Sequence, residues 1–441
     1  MNDRHEHSPD RNGHSPPDAP GLDRGYVKEL RAAGFTSSTR REFLKRSAGA
    51  GLGLVAGAGL LSLAGCSTEN ASASLDEAET PELTIGFVPI NCATPIIMAD
   101  PLGIYERYEL NVTVLKFGGW AEIRDAAIAG EIDAAHLLAP IPLALAMGIG
   151  PADPIPMRLS AIENINGQAI TLAKRHLGNV AGPEDMRGMT LGIPFEFSMH
   201  SFLLRAYLAE GGLDPDNDVQ LVVMRPPDMV AQLSVGNIDG FLGPEPVNQR
   251  AVFAGAGYIH ELSRDMWDGH PCCSFSVRQQ FIDENPRTYQ SLLSAIVDAT
   301  EYSRNLDNRR EIAEAISPTE YLNQPLEVVE AAMTGHFDNG KGETVTEPGR
   351  MSFDPYPWKS FALWMQTQLV RWGYITKSEV EAMGMRNLAD EVFLTEGVRE
   401  AQRELGIPTT NDEYREEIIF GRTFDPSNPA PWMEKNIGAR I

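Results

Sequence analysis

The sequence predicts an α/β fold of two similar lobes, each a mostly parallel sheet flanked by helices, and an internal repeat is the main reason. Leu83–Gly86 (Leu-Thr-Ile-Gly) returns 106 residues later as Met189–Gly192 (Met-Thr-Leu-Gly). At the same offset, 129–134 (Ala-Gly-Glu-Ile-Asp-Ala) returns as 235–240 (Val-Gly-Asn-Ile-Asp-Gly). In each copy an amphipathic helical pattern precedes the second motif and a short apolar strand follows it. This shared order indicates two lobes around a cleft.

The individual elements follow from periodicity and from capping residues. Thr94 and Pro95 suit the start of a helix, and Ser198 suits the start of its counterpart in the second copy. Strands are predicted over 83–89, 134–139 and 240–242, and helices over 96–108, 121–129, 228–235, 285–305, 309–315, 326–334 and 357–371.

These elements divide the chain into segments with different roles. The predicted segments are a signal peptide over 1–65, a flexible tether over 66–80, the first part of lobe 1 over 81–172, lobe 2 over 173–268, a return to lobe 1 with C-terminal helices over 269–408, and a surface-wrapping tail over 409–441.

The N-terminal segment resembles an export signal. Arg40 and Arg41 precede a weakly apolar Gly/Ala-rich run, and Leu-Ala-Gly precedes Cys66, where a lipoprotein is cut and acylated. The alternative is a transmembrane anchor with a chance arginine pair, but the run is poor in large apolar side chains. We therefore expect export by the twin-arginine route and membrane contact through a lipid on Cys66 alone, at the periplasmic side of the membrane or the cell surface.

Composition narrows the possible partners. The chain has a formal net charge of −24, and without residues 1–65 the charge is −26. So acidic a body argues against nucleic acid as a partner, but it leaves a small anionic ligand open because local donors govern a buried site. The exported part also lacks the sequence signatures of P-loops, nucleophile elbows and zinc proteases. A binding protein without a cofactor is therefore favoured over an enzyme.

The cleft is expected at the turns that follow the repeated strands. Two helix N-termini at these turns would present N–H groups to an anion, although most such ends are ordinary solvated caps. His200 is either a donor to an anion or a satisfied histidine, and Trp120 is either a wall for a planar ligand or a packing residue. Gln168 lies near the first crossing between the lobes, and Glu245, between two prolines, is either a ligand group or a hinge residue.

His136 and the three cysteines can be explained either by packing in the core or by binding of a ligand. His136 lies in an apolar strand, where a histidine is more often part of the core than a ligand. Cys92, Cys272 and Cys273 with a histidine would suit zinc or copper(I). Adjacent cysteines rarely bind one ion comfortably, however, so we expect no metal.

The motifs around these residues resemble the nitrate- and bicarbonate-binding lipoproteins of ABC importers. The resemblance runs from about Leu83 to Trp372 and is most specific at Asp133–Pro140, and it includes Gly119–Asp125, Ser198–His200 and Gly243–Pro246. It implies a two-lobe periplasmic-binding-protein-like fold and delivery of an oxyanion to a membrane permease.

The resemblance also implies roles for single residues. Trp120, Gln168 and His200 fall where the nitrate binders contact their oxyanion, whereas bicarbonate binders tend to have Gln at the position of His200. Cys273 departs from both groups, because nitrate binders have Lys there and bicarbonate binders have Glu. Loss of one ionic partner would cost about 1.5–3 kcal/mol.

The sequence thus predicts a solute-binding lipoprotein of an ABC importer that captures a small oxyanion, with nitrate first. Bicarbonate, nitrite or a small sulfonate are the alternatives within the same fold. A copper or zinc binder and an exported enzyme are less favoured, and a sensor of the same fold is not distinguished from an importer component.

Overall fold

The computed structural model describes residues 78–150 and 153–435, all of which lie in a compact unit, Ser74–Ile441. The twin-arginine pair, the predicted lipidation site Cys66 and most of the predicted tether lie outside the described residues. At the end of the tether, the N–H of Thr80 donates to the hydroxyl of Thr288 at 3.1 Å. The carboxylate of Glu79 also accepts from the Thr288 N–H at 2.8 Å, so these last residues of the predicted tether are bonded to the body.

Strands and helices alternate through the first two-thirds of the described chain, and helices dominate after it. The strands are β1 (Glu82–Phe87), β2 (Asn111–Lys116), β3 (Ala134–Leu138), β4 (Met157–Asn166), β5 (Gln168–Ala173), β6 (Thr190–Ile193), β7 (Gln220–Val223), β8 (Gly240–Pro244), β9 (Gly257–Leu262), β10 (Pro271–Arg278), β11 (His336–Asp338), β12 (Thr344–Thr346), β13 (Met351–Ser352), β14 (Glu417–Ile419) and β15 (Arg422–Phe424). The helices are α1 (Thr94–Met98), α2 (Ile104–Arg107), α3 (Trp120–Ala129), α4 (Pro140–Ala146), α5 (Met199–Glu210), α6 (Pro226–Ser234), α7 (Val247–Phe253), α8 (Ser263–Met266), α9 (Gln279–Glu284), α10 (Pro286–Arg304), α11 (Arg309–Ile316), α12 (Leu326–Thr334), α13 (Lys359–Arg371), α14 (Lys377–Met383), α15 (Met385–Val392) and α16 (Thr395–Glu404).

The two larger sheets have the same plan, which confirms the predicted two-lobe α/β fold. Lobe 1 has the strand order β13-β4-β10-β3-β1-β2 and lobe 2 the order β7-β6-β8-β5-β9. In each sheet three strands are parallel, β2-β1-β3 in one and β7-β6-β8 in the other. A strand that arrives from the other lobe, β10 or β5, then pairs antiparallel with the third.

The repeat of 106 residues is preserved in the strand register. Ile85 pairs with Ala134 in lobe 1, and Leu191 pairs with Gly240 in lobe 2. The repeated aspartate has one task in both lobes. The Asp133 carboxylate accepts from the Thr84 N–H at 2.9 Å, and the Asp239 carboxylate accepts from the Thr190 N–H at 2.9 Å. The Gly-x-Ile-Asp motif therefore satisfies a strand-end amide rather than contacting a ligand.

Several sequence predictions differ from the structure in detail. The sheets are mixed rather than mostly parallel, because a strand that arrives from the other lobe, β10 or β5, lies antiparallel between its neighbours. The first crossing is at Gly167, five residues before the boundary predicted at 172, since β5 already belongs to lobe 2. The helix predicted over 96–108 is divided into α1 and α2, because Pro101 and the left-handed Gly103 (φ 63°) interrupt it.

The C-terminal tail contains more structure than the sequence predicted. β14 and β15 form a hairpin, and Ile419, Phe424 and Trp432 are buried in the main core. The buried Glu417 of this hairpin accepts from the indole N–H of Trp267 at 3.1 Å. Within the described ranges, no helix is long and apolar enough to cross a membrane.

Candidate functional site

Two helix N-termini from different lobes meet at the cleft. Trp120 is the first residue of α3 in lobe 1, and His200 lies in the first turn of α5 in lobe 2. Their ring centroids are 6.4 Å apart. Ser198 begins α5 as predicted, since its hydroxyl accepts from the Ser201 N–H at 3.0 Å. The carboxyl ends of the parallel strands therefore bring one aromatic side chain from each lobe together.

The side chains of Trp120, Gln168 and His200 are buried, yet their polar atoms are unpaired. The indole N–H, both atoms of the Gln168 amide and both His200 nitrogens have no hydrogen-bond partner among the residues that the structure describes. An unpaired buried polar group costs about 1–3 kcal/mol, so folded proteins rarely keep several of them together without a function. The polar atoms of these three side chains are therefore available to form hydrogen bonds with a ligand.

Backbone hydrogen bonds at the crossing hold Gln168 beside the loop that follows β1. The N–H of Asn91 donates to the carbonyl of Glu245 at 2.8 Å, and the N–H of Glu245 donates to the carbonyl of Gly167 at 3.0 Å. Both polar atoms of the Asn91 side chain are also buried without a partner among the described residues. Gln168 and Asn91 therefore belong to the same polar region between the lobes.

His136 and Glu163 lie next to this set, and the sequence did not single out Glu163. Nδ1 of His136 accepts from the Val88 N–H at 3.2 Å, so the neutral ring carries its proton on Nε2. This Nε2 lies 4.0 Å from the Glu163 carboxylate, and neither group has a hydrogen-bond partner in the described chain. His136 is fully buried, as its apolar strand favoured. The ring centroid of His136 lies 6.0 Å from that of Trp120.

Burial favours the uncharged forms of the two histidines and of Glu163 in this region. Burial lowers the pKa of His200 to about 4 and that of His136 to about 3. Burial raises the pKa of Glu163 well above its usual value, and the charge of Cys272 raises it further. The site therefore offers neutral N–H donors on the indole, the amide and the two imidazoles, and burial favours the neutral form of the Glu163 carboxyl.

The thiols lie beside these donors because two β-bulges redirect their strands. Between Pro271 and Cys273 the strand β10 advances two residues while β4 advances one, so Cys272 has no partner opposite it. One step further, Glu163 is the extra residue on β4, since Cys273 pairs with Asn164 and Ser274 with Ile162. A bulge changes the direction of side chains, and here it re-aims a thiol and a carboxyl.

Cys273 belongs to a cluster of three thiols. Sγ of Cys272 lies 3.6 Å from Sγ of Cys92 and 3.6 Å from Sγ of Cys273. Burial raises the pKa of the Cys92 and Cys273 thiols, and the Cys273 N–H donates to the side-chain carbonyl of Asn164 at 3.2 Å. Burial alone would raise the pKa of Cys272, but hydrogen bonds from Cys273 and Cys92 outweigh its burial and lower that pKa instead. Its charge raises the pKa of His136, Glu163 and His200 alike, so the thiols border the donors.

Glu245 is close to the crossing, but its carboxylate is already bonded. Nη2 and Nε of Arg350 donate to one Glu245 oxygen at 2.6 and 3.1 Å, and both side chains are fully buried. Asn248 donates to the same oxygen at 3.2 Å. Because Arg350 precedes a strand of the lobe 1 sheet, this ion pair joins the lobes. The ligand role of Glu245 stays a prediction, and the contacts favour the hinge role.

Comparisons with known proteins agree with this arrangement. The profile of the NMT1-like family matches residues 76–317. The nitrate/nitrite binding protein NrtA of Synechocystis sp. is 30% identical over an alignment of 444 positions, which covers 91% of this chain and 97% of the relative. The nitrate import ATP-binding protein NrtC of Synechocystis sp. is 32% identical over 81% of this chain, which spans 55% of that relative.

A solved structure carries the same fold. The crystal structure of the periplasmic nitrate-binding protein NrtA from Synechocystis PCC 6803 superposes with a TM-score of 0.77 at 29% identity. The superposition covers 81% of this chain and 99% of that one.

Proposed function

The chain belongs to the NMT1-like family, and from this premise we propose that it is the solute-binding protein of an ABC importer and that it captures nitrate. The observation that carries the proposal is the set of buried, unpartnered polar atoms on Trp120, Gln168 and His200 where the two lobes meet. These relatives are transport proteins rather than enzymes, and we assign no catalytic step to this chain.

The donors favour a small oxyanion over a cation. The indole of Trp120 and the proton on Nε2 of His136 can only donate. In a buried site such groups bind an anion more strongly than they would in water, since the local dielectric constant is low. An anion also restores the hydrogen bonds that these groups lost on folding, and this gain drives closure of the lobes.

Neutral donors also compensate for the absence of a charged residue at position 273. The Cys273 thiol cannot supply a charge-assisted hydrogen bond. Several neutral hydrogen bonds of about 0.5–1.5 kcal/mol each can replace one ionic contact. Bicarbonate, nitrite or a small sulfonate remain alternatives, because Gln168 can accept as well as donate.

The importer is the expected partner. The name of the ATP-binding relative supports an ATP-driven nitrate permease as the destination of the solute. Arg40, Arg41 and Cys66 favour export of the folded chain and a lipid anchor that holds it beside that permease.

Isothermal titration calorimetry of the purified protein with nitrate, nitrite, bicarbonate and a small sulfonate tests the ligand. We expect one site per chain, with nitrate bound most tightly. Binding of none of these anions, together with a response to a neutral solute, would overturn the oxyanion assignment. A colourless preparation without a bound cofactor is expected, and a chromophore that survives dialysis would favour the exported enzyme.

A further inference from the structure

We propose that Cys92, Cys272 and Cys273 form a binding site for one thiophilic metal ion, with Cu(I) as the best-suited ion. The three sulfur atoms lie within 4.8 Å of one another, and all three residues are fully buried and free of disulfides. This site is distinct from the oxyanion donors, so it goes beyond the transport function.

The spacing of the sulfurs matches that of metal thiolates. A metal–sulfur bond of about 2.3 Å places sulfurs about 3.8–4.0 Å apart in tetrahedral or trigonal geometry. Two of the Sγ–Sγ distances here are 3.6 Å, and the third is below 4.8 Å. Shifts of a few tenths of an ångström would therefore bring all three thiols to one ion.

The β-bulge at Cys272 removes the usual objection to adjacent cysteines. In a regular strand neighbouring side chains point to opposite faces, so residues 272 and 273 would not share an ion. Here Cys272 is the extra residue of the bulge, and its sulfur contacts both Cys273 and Cys92. The third thiol comes from the loop after β1, so the site joins segments 180 residues apart.

A second observation points to a ligand at this place. Glu163 is fully buried on the opposing bulge, next to the partner of Cys273 in the sheet, and has no hydrogen-bond partner in the described chain. Small apolar packing would account for buried thiols alone. It does not account for a cluster of thiols beside an unpartnered carboxyl.

The number of ligands selects the ion. Among the described residues, the three sulfurs lie within 4.8 Å of one another, and no histidine nitrogen or carboxylate oxygen joins them within that distance. Structural zinc takes four ligands in a tetrahedron, whereas soft thiolate sites of lower coordination suit Cu(I).

A competition titration tests the proposal. The reduced full-length chain, kept free of oxygen, is titrated with Cu(I) in the presence of a colorimetric Cu(I) chelator. We expect it to withdraw one equivalent per chain and to gain near-ultraviolet thiolate-to-copper absorption. Cys272→Ser should lose more than about a hundredfold in affinity, since loss of an outer partner alone costs ten- to a hundredfold. Cys66→Ser, which leaves the cluster intact, should bind as the unchanged chain does.

Three outcomes would overturn the metal site. The first is a reduced chain that cannot compete with the chelator, and the second is unchanged Cu(I) affinity in both Cys272→Ser and Cys92→Ser. The third is a disulfide between Cys92 and Cys272 in protein purified without reductant, detected by thiol counting. Circular dichroism of each variant separates loss of the site from loss of the fold. Anion titrations are read separately, so failure of either proposal is distinguishable.

Discussion

Replacement of His200 by leucine separates the ligand role of this side chain from a structural role. Both ring nitrogens are buried without a partner among the described residues, so the substitution removes donors without stranding any known hydrogen-bond partner in the protein. Leucine fills a similar volume and has no polar atom that must be satisfied.

The expected magnitudes follow from the same contacts. One hydrogen bond to a charged ligand contributes about 1.5–3 kcal/mol, so His200→Leu should weaken nitrate binding by about 10- to 150-fold. Each unsatisfied buried polar atom costs about 1–3 kcal/mol in the folded state. The ligand-free variant should therefore be as stable as the unchanged protein or more stable, which is the opposite of most core substitutions.

Calorimetry gives the affinity, and thermal unfolding without ligand gives the stability. His260→Leu is the matched control, because burial lowers the pKa of His260 to about 4 as well, but its Nε2 is bonded to the Tyr207 hydroxyl at 2.9 Å. The control should lose stability and keep its affinity. The reasoning would be refuted if His200→Leu bound nitrate within threefold of the affinity of the unchanged protein. It would also be refuted if His200→Leu unfolded at a lower temperature than His260→Leu.

Three further predictions concern pH and stability. A bound anion favours the protonated His200 ring, whose pKa in the free site is about 4. Nitrate binding should therefore take up protons and strengthen as the pH falls from 7 towards 5. Calorimetry in buffers of different ionisation enthalpy measures the uptake, and no uptake of protons in that range would contradict the prediction. The folded-state pKa values of His136 (about 3) and His200 (about 4) lie below the ordinary 6.5, so the unfolded chain binds more protons in acid. The stability that these residues contribute should be complete above pH 6.5 and lost as the pH falls towards 4 and 3. Urea unfolding at several pH values would detect this loss. Arg350→Met should destabilise the fold by about 3–5 kcal/mol because it leaves Glu245 buried without its cation. In urea unfolding, the double variant Glu245→Gln/Arg350→Met should recover most of this loss. Additive effects of the two single variants would show that the pair is not coupled.

Much of the fold could be predicted because its signals are local. The repeat at an offset of 106 residues survives as equal pairing registers of Ile85 with Ala134 and of Leu191 with Gly240. Helix periodicity and capping placed α12 at its observed bounds and α5 at Ser198. The order of strands within each sheet was not predictable in the same way, because the strand that crosses from the other lobe pairs with residues 68 to 143 positions away.

The candidate site was predicted in part for the same reason. Trp120 and His200 occupy helix starts, which composition and spacing reveal. Glu163 gave no comparable signal, since a single acidic residue within an apolar strand has no periodicity. Its position depends on a bulge in a pairing between β4 and β10, which the local sequence does not specify.

The sequence by itself determined the class of protein: two duplicated α/β lobes, with a cleft at the ends of the repeated strands. These features depend on the period of apolar residues and on turn chemistry, which act over a few residues. Only the tertiary structure decided which polar groups remain unpaired and where the thiols meet. Hydrogen-bond satisfaction and sulfur spacing are properties of distant segments brought together, so Cys92 and Cys272, 180 residues apart, become neighbours only in the folded chain.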